Sequence, residues 1–478
     1  MAGGDAVERS LIDMHRILTI ARLTWKSAFR YRIFWVMAVT LVAAVVGLPL
    51  VLKDDGTAKG LTQIVLTYTL SSVSVLLGFA TLWLSCGTLA RDVEDCQIQM
   101  VASKPIARWQ IWLGKWLGIL ALNAMLLALS GSAIYLLLQW RSHRLPADQQ
   151  KVLQDEIFVA RAAARERPPD LSKEIENLAA QWAKKNPRAK PTAEEIAILK
   201  TLFANQARTN LEAVDPGYYK LWVINLSSLP ARVRAQPMQM RVKFTVSDPD
   251  PAAANGRTYG MIWRVGPTNS QQAQYLEEYL PPSSFQELPL PPLLDSSGDL
   301  YVACQNIDPT EQLFFPIEDG FEVLYRESTF AVNFARGMAV ILSWLALLSA
   351  IGLASASFLS FPVAAFCSLA VLIVGLSTGT LSEVQQEKSI FLGTGEKPTI
   401  VKKIIDALTV PLFDAALKVV NLVEAFSPVE SLSTGQSITW GQLGLAVGQI
   451  VVLMGGFFTL AGILLFHRRE LAAAQINS

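Results

Sequence analysis

Residues 338–382 run for 45 positions without an Asp, Glu, Lys or Arg. A helix crosses about 30 Å of hydrocarbon with roughly 20 apolar residues, so this stretch is too long for one crossing and long enough for two. Ser355, Ser357, Ser360 and Pro362 place a turn inside it. Serine competes for backbone hydrogen bonds, and proline disfavours helix at the residue before it. Uncharged stretches at 33–52, 61–90, 116–140 and 442–466 bring the count to six. Hydrophobic residues make up 51% of the chain and charged residues 17%, well under the quarter typical of soluble chains. The expectation is an α-helical integral membrane protein with six transmembrane helices. A large extracytoplasmic α+β domain is inserted between helices 3 and 4.

The distribution of Lys and Arg orients the spans. Arg16, Arg22, Lys26, Arg30 and Arg32 precede the first, Lys104, Arg108 and Lys115 lie between the second and third, and Arg468 and Arg469 follow the sixth. One side holds all three clusters if both termini are cytoplasmic. The chain then divides into an amphipathic interface helix in 1–32, spans 1–3 in 33–140 with a polar loop at 91–115, and an extracytoplasmic domain over 141–335. Two spans in 336–382 follow, then an extracytoplasmic or re-entrant segment at 383–440, and the sixth span with a cytoplasmic tail in 441–478. Leu11, Met14, Leu18, Ala21, Trp25 and Ala28 recur at helical spacing with the basic residues largely elsewhere, as in a helix lying at a membrane surface. The alternative is a cytoplasmic helix packed on protein. No secretory cleavage pattern precedes the first span, which reads as a retained anchor.

Residues 141–335 carry more than half of the charged side chains. The Ala-, Glu- and Lys-rich part at 147–211 reads as two or three helices broken at Pro168 and Pro169. The part at 218–327 reads as a small β-sandwich, because MQMRVKFTV (238–246) alternates and TYGMIWRV (258–265) is rich in β-formers. Asn255-Gly256 between them is a hairpin signal. Trp222 and Trp263 fit a core better than a ligand groove. In 383–440, Ile400, Ile404, Leu408, Leu412 and Ala416 recur at fours with Pro411 inside the stripe, as in a helical element resting on the outer membrane face.

No catalytic, cofactor or metal site emerges. The three histidines and four cysteines are scattered, and a net charge of +1 gives no reason to expect nucleic acid. The expected spans hold no ionisable interior residue of the kind that proton- or ion-coupled transport uses. Asn123 and Gln449 are their strongest polar groups, and each reads as a helix–helix hydrogen bond. GTGEKPT (393–399) lacks the spacing of a phosphate-binding loop. If ATP drives this protein, another subunit binds it.

Such a subunit needs a cytoplasmic handle, and residues 91–115 are the sizeable one. Pro105 breaks the helix cleanly. Ile98, Met100, Val101, Ile106 and Trp109 supply apolar knobs, and Arg91, Asp92, Glu94, Lys104 and Arg108 supply charges that orient a partner. Gly114 lets the third span start close to a neighbour, and Lys115 can snorkel to the headgroups. SKPIAR (103–108) and LGKWLG (113–118), with Asp92 ahead of them, resemble the loop between the second and third spans of ABC-2-type transporter permeases. There the pattern is an acidic residue, Gly-Thr, a Leu-rich turn, Pro, an apolar residue, Arg, and Gly-Lys opening the third span. Cys96 and Gln97 stand where Gly-Thr is usual. The amphipathic N-terminal helix, Ser427-Pro428 and the tail HRREL also resemble the family. The large insertion is similar to the branch with nitrous-oxide-reductase maturation and gliding-associated permeases. The resemblance covers about 280 residues in the two membrane portions.

It implies a homodimeric, non-catalytic permease subunit in a bacterial inner membrane. Its partners would be an ABC ATPase subunit, a second copy of itself, membrane lipid and an extracytoplasmic protein, with no cofactor of its own. It would couple ATP hydrolysis to export or to force transmission to the periplasmic side. The alternative is a non-transporting anchor whose extracytoplasmic domain recruits partner proteins. In either case a cysteine at Ser172 should react with an impermeant thiol reagent added outside intact cells, and one at Ser103 should not; the reverse pattern inverts the topology.

Overall fold

A computed structural model describes residues 2–29, 32–51, 57–95, 106–167, 169–186, 193–246, 257–267, 273–291, 293–295, 297–376 and 426–468. The helices in chain order begin with α1 Ala2–Ala28, α2 Arg32–Val51, α3 Ala58–Glu94, α4 Arg108–Ser142, α5 Ala147–Glu156 and α6 Leu171–Lys185. They continue with α7 Ala193–Glu212, α8 Ala231–Arg234, α9 Phe330–Ala356, α10 Phe361–Leu376, α11 Pro428–Ser433 and α12 Trp440–Arg468. The chain forms two compact units, one from Met1–Val159 with Thr329–Ser478 and the other from Ala160–Ser328.

Four helices of the first unit are long and apolar enough to cross a bilayer: Thr62–Glu94 within α3, then α4, α9 and α12. This makes the chain a membrane protein. The first and fifth expected spans coincide with the shorter apolar helices Phe34–Pro49 and Phe361–Ala370. The break at 357–360 falls where Ser355, Ser357, Ser360 and Pro362 placed a turn. The helix α9 is the hub, with 72% of its most apolar window buried against 22% for α12. Trp116 Nε1 of α4 donates to Ala346 O of α9 at 3.0 Å. Pro428 opens α11, a position where a missing N–H costs nothing. Within α12, Val447–Gly455 is π-helical, a widening of the backbone ring that the apolar sequence did not announce.

The helices outrun the apolar stretches because polar residues continue a helix as readily as apolar ones. As a result α4 and α9 carry Lys115 and Arg336, both buried, just beyond the expected spans. The guanidinium of Arg336 donates to Ile438 O at 2.8 Å and lies 4.5 Å from the centre of the Trp440 ring. Asn333 donates to Gln436 O and accepts from Ile438 N. Together they seat the approach to α12 on α9.

The second unit is the β-rich region. Its strands are β1 Val159–Ala164, β2 Ala213–Val214, β3 Tyr219–Asn225, β4 Met238–Val242, β5 Thr245–Val246 and β6 Tyr259–Val265. Then come β7 Gln274–Leu280, β8 Gln286–Leu290, β9 Asp299–Asn306, β10 Leu313–Phe314 and β11 Phe321–Thr329. Two four-stranded sheets, ordered β1-β11-β4-β8 and β3-β9-β6-β7, are joined by a small sheet ordered β2-β10-β5. One apolar core draws on both large sheets. Trp222 stacks on Phe321 at 4.7 Å, Trp263 meets Phe315 edge-on at 6.2 Å, and both tryptophans are buried. They are core residues. Arg161 pairs with Glu287, and Glu322 with Arg165 and Arg241, which balances the charges buried along the sheet ordered β1-β11-β4-β8.

Two expectations change. The segments 238–246 and 258–265 do not form a hairpin: β4 pairs with β8 and β11, and β6 with β7 and β9. Asn255-Gly256 lies outside the described residues. The stretch 147–211 is not all helical, since VARAAA (159–164) is the β1 strand. Its alanines favour helix, but Val159, Ala160 and the paired Arg161 are buried as a strand, and tertiary context outweighs propensity. The compact β-rich unit spans Ala160–Ser328, and α5 packs with the helical unit through Leu153 and Ile157.

Trp263→Ala should cost about 3–5 kcal/mol, the usual range for truncating a buried tryptophan, read from thermal or denaturant unfolding. Burial pushes the Cys304 thiol well above its ordinary value, so it should resist thiol reagents in the native protein and react once the sheets unfold. The substitution should hasten that reaction, as peptide mapping of labelled Cys304 would show.

Candidate functional site at the polar end of the helix bundle

The polar stretch 91–115 is described at both ends, as the last turn of α3 and the first two turns of α4. Cys96, Gln97, Ile98, Met100, Val101, Lys104 and Pro105 lie outside the described residues. So do the stripe around Pro411 and GTGEKPT.

The flanking charges reach back into the bundle, to α3, α10 and α12. The Lys115 ammonium pairs with the Asp92 carboxylate and donates to Thr88 O at 2.9 Å, joining α4 to α3. Only 7% of its side chain is exposed, so Lys115 does not snorkel to headgroups. An internal carboxylate is the nearer partner, and a buried ammonium requires one. The Glu94 carboxylate accepts from Phe361 N at 2.9 Å, satisfying an otherwise orphaned donor at the start of α10. Arg91 lies over the Phe361 ring, 4.5 Å from its centre. Arg108 donates to Phe466 O at 3.0 Å and His467 O at 2.7 Å, placing a cation on the negative end of α12. Gln110 donates to Asp13 of α1 at 2.7 Å and accepts from Ala107 N.

The helix α1 is drawn in by the spacing Gly114-x-x-x-Gly118. A Cβ added at Gly114 would lie 2.7 Å from Ile20 Cβ and 2.9 Å from Ile17 O, and one at Gly118 2.7 Å from Ala21 O. Such contacts need glycine. Gly114 therefore does start the α4 helix against a neighbour, and the neighbour is α1. The contact seam follows Ile17, Ile20, Ala21 and Thr24, and shares only Ala21 with the expected stripe. Met14, Leu18 and Leu23 of α1 are exposed. Ile106 is half-buried and Trp109 is 39% exposed.

Several members of this cluster carry no sequence signature. Asp13 and Gln110 gave no signal, since each is ordinary until α1 meets α4. The backbone acceptors at Phe466 and His467 have no side-chain signature. Asn123 differs from expectation too. It is 2% exposed, and its amide nitrogen has no hydrogen-bond partner, so it makes no helix–helix hydrogen bond through that group. It lines a cavity of about 50 Å³ with Phe34, Met37, Trp83, Leu126 and Arg91, of a size that holds a few water molecules.

Among the described residues, no group of three or more His, Cys, Asp or Glu is placed to hold a metal ion. What the cluster can do is mechanical: it joins the ends of α3, α4, α10 and α12 to the middle of α1. Compared with known families, curated proteins and solved structures, the chain matches none.

Asp92→Asn should cost about 3 kcal/mol or more by leaving the Lys115 ammonium buried and unpaired. Adding Lys115→Met to Asp92→Asn should restore most of the loss. Thermal unfolding in detergent checks both, and additive losses would show that the pair is not coupled.

Proposed function

We propose that the chain is the permease subunit of an ABC-2-type ABC transporter in a bacterial inner membrane. It works as a homodimer and takes its energy from a separate ATPase subunit. In this reading both termini are cytoplasmic and the chain crosses six times, with α2 and α10 as the shorter crossings. The β-rich unit is extracytoplasmic, and the permease itself is not an enzyme. ATP hydrolysis drives export, or force transmitted to the periplasmic side.

One observation carries the proposal. The ends of the 91–115 stretch are tied to five helices through Asp92–Lys115, Glu94–Phe361, Arg108–Phe466 and Gln110–Asp13. A displacement applied there is transmitted to several helices at once, as a coupling element requires. The half-buried Ile106 and exposed Trp109 stand at the start of α4, where a soluble partner can reach them. The charges have a different role from the one first assigned to them. Arg91, Asp92, Glu94 and Arg108 brace the bundle, and docking falls to the apolar side chains and the residues between.

The test co-expresses the permease with an ABC ATPase encoded beside it, and the absence of any such reading frame counts against the proposal. A buried aromatic anchor often costs about 2 kcal/mol on truncation, roughly 30-fold in affinity. Trp109→Ala or Ile106→Asp should therefore abolish permease-stimulated ATP hydrolysis while the chain still inserts and folds. Arg108→Ala should reduce coupling less, with a lower melting temperature as the end of α12 loosens. Wild-type stimulation in both apolar variants would refute the coupling role.

A further inference from the structure

A groove of about 310 Å³ runs between α3 and α10, walled by Phe79, Leu82, Trp83, Phe361, Phe366 and Leu369. The Trp83 ring meets Phe361 edge-on at 5.3 Å and stacks on Phe79 at 6.4 Å. Phe79 and Phe366 are exposed, Phe366 at 73%. The walls are apolar throughout, and the groove lies between helices read as membrane-embedded, so its natural filling is a hydrocarbon chain.

Charges stand beside the groove where Phe361 lines it. Phe361, the residue that opens α10, is bracketed by opposite charges. The Arg91 guanidinium lies 4.5 Å from the centre of its ring, and the Glu94 carboxylate is 2.9 Å from its backbone nitrogen. Both charges come from one turn of α3, where that helix leaves its uncharged stretch 61–90 and reaches the headgroup level. Asp95 follows directly, whereas Asp92 is taken up by Lys115. An anionic headgroup would gain at Arg91 and be repelled at Glu94 and Asp95. A headgroup with both signs meets a complement at each end.

We propose that this groove binds one zwitterionic phospholipid with a primary ammonium, of the phosphatidylethanolamine type. The phosphate faces Arg91, the ammonium donates to Glu94 and Asp95, and an acyl chain lies along Trp83 and Phe366. The phosphate adds to the contact Arg91 makes with Phe361 and does not replace it. A quaternary ammonium has no N–H to donate, so phosphatidylcholine is the weaker ligand. The inference rests on the membrane setting and not on the transporter reading.

The test uses the full chain in nanodiscs with equal phosphatidylethanolamine, phosphatidylglycerol and phosphatidylcholine, extracted into detergent and weighed by native mass spectrometry. The wild-type protein should retain phosphatidylethanolamine over both others. Losing a charged hydrogen bond is worth roughly tenfold, so Arg91→Gln should cut that retention about tenfold and Arg91→Lys should keep most of it. Glu94→Gln should shift the preference toward phosphatidylglycerol. Ala365→Trp, which fills the groove and leaves both charges in place, should abolish retention without lowering the melting temperature. Equal retention of all three lipids by the wild type, or a phosphatidylethanolamine preference that survives Glu94→Gln, would overturn the proposal and leave annular lipid only.

Discussion

A buried ammonium must be neutralised, and Lys115 sets that requirement at the point where α3, α4 and the polar stretch meet. Asp92 meets it. The cost of leaving either charge alone fixes the separation and rotation of α3 and α4, because only one register brings a carboxylate one turn from the helix end to an ammonium two turns into the next helix. The rest of the polar end is built on that register. With α3 and α4 fixed, Glu94 reaches the first backbone nitrogen of α10, Arg108 reaches the last carbonyls of α12, and Gly114 and Gly118 face α1. Two of these contacts act on helix termini, where unsatisfied backbone groups and the macrodipole make a single side chain effective.

The two units hold together by different physics. In the helical unit, water exclusion by lipid gives little reason for one helix to prefer another, so close approach at glycines and a few polar contacts decide the packing. In the β-rich unit burial drives assembly, with Trp222, Trp263, Phe315 and Phe321 filling the space between the large sheets. The Arg161–Glu287 and Arg241–Glu322 pairs link all four strands of the sheet ordered β1-β11-β4-β8 in the same unit. They add orientation to a core that apolar area alone would leave adaptable.

What the sequence announced was composition along the chain. Long uncharged runs located α3, α4, α9 and α12, and serine with Pro362 located the break between α9 and α10. Alternation located β4, and β-formers located β6, but strand partners were not legible. Asn255-Gly256 pointed to a hairpin, whereas β6 finds β7 and β9 through Trp263 and its neighbours. VARAAA was hidden as a strand because alanine favours helix wherever no sheet edge is offered. At the polar end the reverse held: Arg91, Asp92, Glu94, Arg108 and Lys115 were all visible as charges, but their partners lie on other helices, most of them hundreds of positions away in the chain. Lys115 looked like an interfacial lysine because its carboxylate sits 23 positions earlier in the chain. Asn123 looked paired because most buried amides are.

The π-helical stretch Val447–Gly455 gives α12 a property the other long helices lack. Each extra residue in a helical turn rotates everything beyond it by about 100° relative to the face before it. The half of α12 before Val447, joined to the Arg336 and Asn333 anchors, and the half after Gly455, held at its end by Arg108, are thus set in different angular registers on one continuous rod.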